Sequence, residues 1–117
     1  MRLPENHPLA ADLQAARWQI ERTTALFAPP PLKNIRSAME NIHGLIEPTS
    51  ETDQAMVAVL EAAAALYNSV NRPGALATSA AVEESKASAL RTVDQLEEAL
   101  THARPNEVAR HIGVDWV

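Results

Sequence analysis

The sequence predicts an all-α protein, an antiparallel four-helix bundle with a short helical appendage at the C-terminus. Four segments repeat apolar residues at three- and four-residue steps, the period of a helix with one buried face. The connections between them are short, which makes consecutive helices antiparallel neighbours. No segment alternates apolar and polar residues as a strand would. The 117 residues are read as one helical domain, 1–117, long enough to bury a core without disulfides or metals.

In the first segment, about 9–27, Leu9, Leu13, Ala16, Ile20 and Phe27 share a face. The second, about 31–46, follows "APPP" (28–31), where Pro31 suits the first helical position. Its stripe is Leu32, Ile35, Met39, Ile42 and Ile46. "EPTSETD" (47–53) separates it from the third, where Ser50 is read as the N-cap with Asp53 in the first turn.

Met56, Val59, Leu60, Ala63, Leu66, Tyr67 and Val70 then form a wide apolar face. Gln54, Glu61 and Asn68 leave only a narrow polar strip, so this helix is expected to be the most buried. "NRPGAL" (71–76) ends it, and Thr78 or Ser79 can cap a fourth helix of about 79–103. That helix buries Val82, Ala89, Val93, Leu96, Leu100 and Ala103, with Lys86 as the polar intruder. Pro105 stops it, and Asn106 is the expected cap of a short turn over about 107–111 that ends at Gly113.

Composition narrows the function classes. With 46% hydrophobic residues, 21% charged and a mean hydropathy of -0.18, the chain is expected to fold rather than remain disordered. Aromatics are only 3%, so aliphatic residues and alanine must build the core. The absence of cysteine excludes disulfides, thiolate metal sites and cysteine nucleophiles.

The first residues have proline and charges where a signal peptide needs an apolar run. The longest apolar stretch, 55–66, is broken by Glu61 and too short for a bilayer. A cytoplasmic protein without membrane contact is therefore expected. The acidic net charge of -5 is uneven. Residues 1–46 carry five basic and four acidic groups, whereas 47–103 carry three basic and nine acidic. No concentrated basic face suggests nucleic acid as a partner.

At the C-terminus, "EVARHIGV" (107–114) resembles the first helix and turn of bacterial helix-turn-helix regulators. The resemblance covers about nine residues and implies a first helix over Glu107–His111, a turn at Gly113, a buried Val114 and a cap at Asp115. Only Trp116 and Val117 follow, so the helix that would enter the major groove is missing. The expectation is a short amphipathic turn whose Val108, Ile112 and Val114 cover one end of the bundle. A transcription-associated protein with a truncated helix-turn-helix is the alternative function.

Glu40 and His43 have the Glu-x-x-His spacing of di-metal bundles. A second such motif is missing, because Glu98 and His102, like Glu107 and His111, are four apart. A carboxylate/histidine metal-binding bundle is therefore the third reading, with no metal or cofactor expected. Simpler roles suffice: Glu40 beside Arg36, and His102 beside Glu98 in the last turn of helix four. There is no phosphate-binding glycine loop and no nucleophile elbow. No catalytic residue is assigned, and an enzyme is not expected.

The sharpest functional signal lies on helix one. At about 100° per residue, Trp18 falls opposite the Leu9–Leu13–Ile20 stripe. Ala11 and Ala25 lie seven residues away on either side, with Ala15 and Arg22 alongside. A large aromatic beside an arginine on a small-residue surface is the composition of an interface hot spot. The expected function is a non-catalytic helical interaction module, an adaptor, regulator or inhibitor that binds a protein partner or forms a homodimer. An acidic face on helix four, with Glu83, Glu84, Asp94, Glu97 and Glu98 outward, is expected to be a solvated surface; the alternative is a docking surface for a basic partner, or mimicry of a nucleic-acid backbone by a small inhibitor.

Overall fold

The helical stripes read above fold around one another in a computed structural model that describes residues 3–23, 32–71, 79–114 and 116, with the backbone alone for Asn71 and Ser79. Its elements are α1 (Ala10–Glu21), α2 (Leu32–His43), α3 (Ser50–Asn71), α4 (Ser79–Leu100) and α5 (Glu107–His111). No strand occurs among the described residues; a single bridge joins Ile46 to Pro105. Phe27, Ala25, Pro31, Thr78 and Asp115 lie outside the described residues, as does most of 71–76.

α1 packs on α2 and α4, and α3 packs on the same two, which closes a four-helix ring. The bundle is antiparallel. The entry to α1 and the exit from α4 share one end, where His7 meets Trp116 and the Trp116 Nε1–H donates to the Ala103 carbonyl. The last turn of α2 reaches the first turn of α3 at the same end, His43 Nε2 lying 3.6 Å from Asp53 Oδ1. α3 and α4 have 22 residues each against 12 for α1 and α2. At 1.5 Å per residue the longer pair extends about 15 Å further than the shorter.

The core follows the periodicity. Leu9, Leu13, Ala16, Ile20, Ile35, Met39, Ile42, Val59, Leu66, Val82, Val93, Leu96 and Leu100 belong to one buried cluster. α3 is less enclosed than its composition suggests, since Val57 and Tyr67 are exposed beside its polar strip. Lys86 buries its stem on the bundle and sends its ammonium to Glu83 at 3.2 Å.

Four helix ends differ from expectation for local reasons, α4 among them: it stops at Leu100 rather than near residue 103, with the Thr101 hydroxyl donating to the Glu98 carbonyl. α1 stops at Glu21, and the Thr23 hydroxyl donates to the Gln19 carbonyl, a local bond that competes with helix continuation. α2 stops before Gly44, and Ile46 reaches the core through an extended residue rather than a helical one. α3 is capped by Thr49, not Ser50. Thr52 N–H donates to Thr49 Oγ1 at 3.1 Å and Thr49 N–H to Thr52 Oγ1 at 2.9 Å. This is a reciprocal capping box with threonine in the place usually held by Glu or Gln.

The expectation for Asn106 holds. Its side chain caps α5 by accepting from Ala109 N–H at 2.8 Å, and its amide donates to the carbonyls of Gly44 (2.9 Å) and Ile46 (3.3 Å). Backbone bonds from Asn106 to Leu45 and from Glu47 to Arg104 complete the seam. α5 ends at His111, and Gly113, two residues on, has a φ of +83°, the left-handed conformation that favours glycine.

The seam also fixes which side of α5 faces inward. Ala109 is buried, while Val108 and Ile112 are 58% and 60% exposed. These two residues therefore do not cover the end of the bundle; Pro105, Ala109 and Trp116 take that place. Asn106→Ala should lower the unfolding free energy by about 1–2 kcal/mol, from the lost cap and the two undonated carbonyls. Urea denaturation followed by circular dichroism would read it.

Candidate interaction surface

α1 buries Leu13, Ala16, Arg17 and Ile20 and turns Ala11, Gln14, Ala15, Trp18 and Glu21 outward. Its rotation is fixed by a charge as well as by the apolar stripe. Arg17 is only 7% exposed, and its guanidinium donates to Asp94 (2.8 Å) and Glu97 (2.5 Å) on α4. Burial alone would push the Arg17 pKa down, but hydrogen bonds and charge attraction from both carboxylates carry it above its usual value. Arg17 is thus a fixed cation aimed inward, and Trp18, the next residue, points away.

Trp18 is 52% exposed. The Arg22 guanidinium carbon sits 4.4 Å from the centre of its ring, within cation–π range. The Arg22 backbone N–H also bonds the Trp18 carbonyl at 3.1 Å, so one helical turn holds the pair together. Beside the indole, Ala11, Gln14, Ala15 and Glu21 help line a shallow depression. The described part of the N-terminal segment, from Leu3, leaves Trp18 exposed. It runs to α4 instead, where Leu3 N–H donates to Glu97 Oε2 at 2.7 Å. Of the residues that the sequence grouped here, the structure brings together Trp18, Arg22, Ala11 and Ala15, and Ala25 lies outside the described residues.

The acidic side chains of α4 divide differently. Glu83, Glu84, Asp94 and Glu98 are exposed, but Glu97 is buried against Arg17. Glu83 pairs with Lys86 and Asp94 with Arg17, which neutralises part of the face, and Glu98 is within electrostatic reach of His102. Glu40 and His43 stand one turn apart near the end of α2. His43 turns to Asp53, and among the described residues no group of three or more His, Asp and Glu gathers. Nor is any described helix long and apolar enough to cross a membrane.

One concavity escaped the sequence reading. Met39, Met56 and Leu60 line a groove between α2 and α3, with Arg36, Glu40 and His43 around it. Their helical spacing marks them as core, and a groove between two helices leaves no separate pattern in either. Compared with protein-family models, curated proteins and solved structures, the chain matches none of them.

Proposed function

We propose that this chain is a non-catalytic helical interaction module, a small adaptor, regulator or inhibitor, that self-associates through the Trp18 side of α1. The observation that carries the reading is a half-exposed tryptophan with an arginine stacked on it, set beside alanines on a helix held in rotation by a buried ion pair. Trp and Arg are the residues most enriched at energetic hot spots. Spacing supports a second copy as the occupant. Trp18 and Arg22 are one turn apart, as are Ala11 and Ala15. An antiparallel, two-fold pairing of α1 with its copy sets each large pair over the small pair opposite, as an isologous contact requires.

A patch centred on one 12-residue helix is below the usual interface size of about 800 Å² per partner, so exchange in the micromolar range is expected. Light scattering behind a sizing column, over a range of concentrations, tests this. The wild type should shift from monomer to dimer. Trp18→Ala should weaken the dimer by about 2 kcal/mol, roughly thirtyfold, while changing the monomer's unfolding free energy by less than about 1 kcal/mol. A wild type that stays monomeric at every concentration would remove self-association and leave a different protein as the partner to seek.

The second reading, a truncated helix-turn-helix, draws on α5 and the left-handed turn at Gly113 that follows it. It predicts mobility shifts at low salt that fade as salt rises.

A further inference from the structure

We infer that His7 is a proton-operated latch that holds the two terminal segments of the chain on the α1-entry end of the bundle, and that acid opens it. The latch is distinct from the Trp18 surface. Its geometry begins at the start of α1, where Leu9 has no side chain able to cap the helix. His7 braces this end from outside the helix: its Nδ1 accepts the backbone N–H of Leu9 itself at 3.1 Å. An acceptor at Nδ1 has no proton there, so the docked ring is the neutral Nε2–H tautomer. The other side of the latch is Trp116, whose ring centre lies 5.2 Å from that of His7 at 51°. Trp116 is anchored in turn by its bond to the Ala103 carbonyl.

Protonation puts a hydrogen on Nδ1, where the Leu9 N–H already points. It converts an acceptor into a second donor and leaves the Leu9 N–H without its partner. The new charge also faces the positive end of the α1 dipole. Burial opposes it too, and holds the His7 pKa below 6.5. One effect runs the other way, because the face of Trp116 attracts a cation.

The charged groups around the latch are few. Glu5 is on the same segment, and Asp12 stands in the first turn of α1, where its carboxylate accepts from the Asn41 amide at 3.2 Å. On α1 and α4, the Arg17–Asp94–Glu97 cluster is satisfied internally and by Leu3. Glu98, His102 and Arg104 stand at and beyond the last turn of α4. Among the described residues none forms an ion pair with His7.

The pH window follows from the direction of the shift. Between 6.5 and the lower value of the docked ring, the released segment binds a proton that the docked one does not. Release therefore grows by up to about tenfold per pH unit as the pH falls through this interval, and levels off once the docked ring itself is protonated. Well above 6.5 the ring is neutral in both forms and release no longer depends on pH.

The test is an NMR titration of the intact protein from pH 8 to pH 4.5. It follows the His7 ring, the Leu9 amide and the Trp116 indole N–H. One shared midpoint below 6.5 is expected, with at least tenfold faster exchange of the Leu9 amide on its acid side after correction for intrinsic rates. His7→Phe, which keeps a ring against Trp116 but cannot titrate, should give flat Leu9 and Trp116 profiles. A Leu9 amide that stays protected through the His7 titration, or a midpoint at or above 6.5, would overturn the latch. So would a Leu9 and Trp116 transition that persists in the phenylalanine variant. If that variant does not fold, the wild-type titration decides alone.

Discussion

Arg17→Ala is expected to lower the free energy of unfolding by about 3–5 kcal/mol, because it leaves a buried carboxylate without its cation. Glu97 is 5% exposed and cannot recover solvation by rotating outward. Its Oε2 is held by the Leu3 N–H and its Oε1 loses the guanidinium. Asp94 contributes much less, since its side chain is 57% exposed and water screens the pair. Urea unfolding of Asp94→Ala should therefore show a loss of at most about 1 kcal/mol. Replacing both buried partners by methionine restores most of what Arg17→Ala loses, since an apolar pair of similar volume needs no solvation. An Arg17→Ala loss below about 1 kcal/mol would mean that water reaches Glu97.

Leu96→Ala should be comparably severe, about 2–5 kcal/mol. Leu96 is fully buried on α4, in the same cluster as Leu13 and Ile20 of α1. The substitution removes its transfer free energy and leaves a cavity that a closed helical ring fills poorly. For a domain of this size the melting temperature should fall by roughly 10–20 °C. Trp18→Ala is the informative contrast. It deletes a larger side chain, but one with half its surface already in water. Thermal denaturation of the two variants side by side separates a residue that holds the fold from one that the fold presents.

Most of the architecture was legible because one physical signal dominates it. Alternating three- and four-residue steps located α1 to α4, and the direction opposite the α1 stripe located Trp18. Buried charge was not legible from hydrophobicity alone, but a pattern for it exists. Arg17 stands four residues after Leu13 and three before Ile20; Glu97 stands four after Val93 and three before Leu100. Opposite charges thus occupy stripe positions on two helices that pack together. Reading the charges of the two stripes jointly would have turned Glu97 inward and named its partner.

The inward face of α5 was misread for a different reason, although its bounds and its Asn106 cap were read correctly. A helix of 5 residues is oriented by what holds its ends rather than by its own apolar stripe. Asn106 is tied to Gly44 and Ile46, contacts about sixty residues away in sequence that no local pattern encodes.

That long-range seam has a consequence for the order of events in folding. α3 and α4 are consecutive in the chain and share the longest interface in the bundle, so little chain entropy is lost in bringing them together. The Asn106 bonds join residues about sixty positions apart in sequence, and they are expected to be absent at the rate-limiting barrier. In a chevron plot, Asn106→Ala should then raise the unfolding limb and leave the folding limb in place. The seam sets how long a folded molecule persists, and has little influence on how fast one forms.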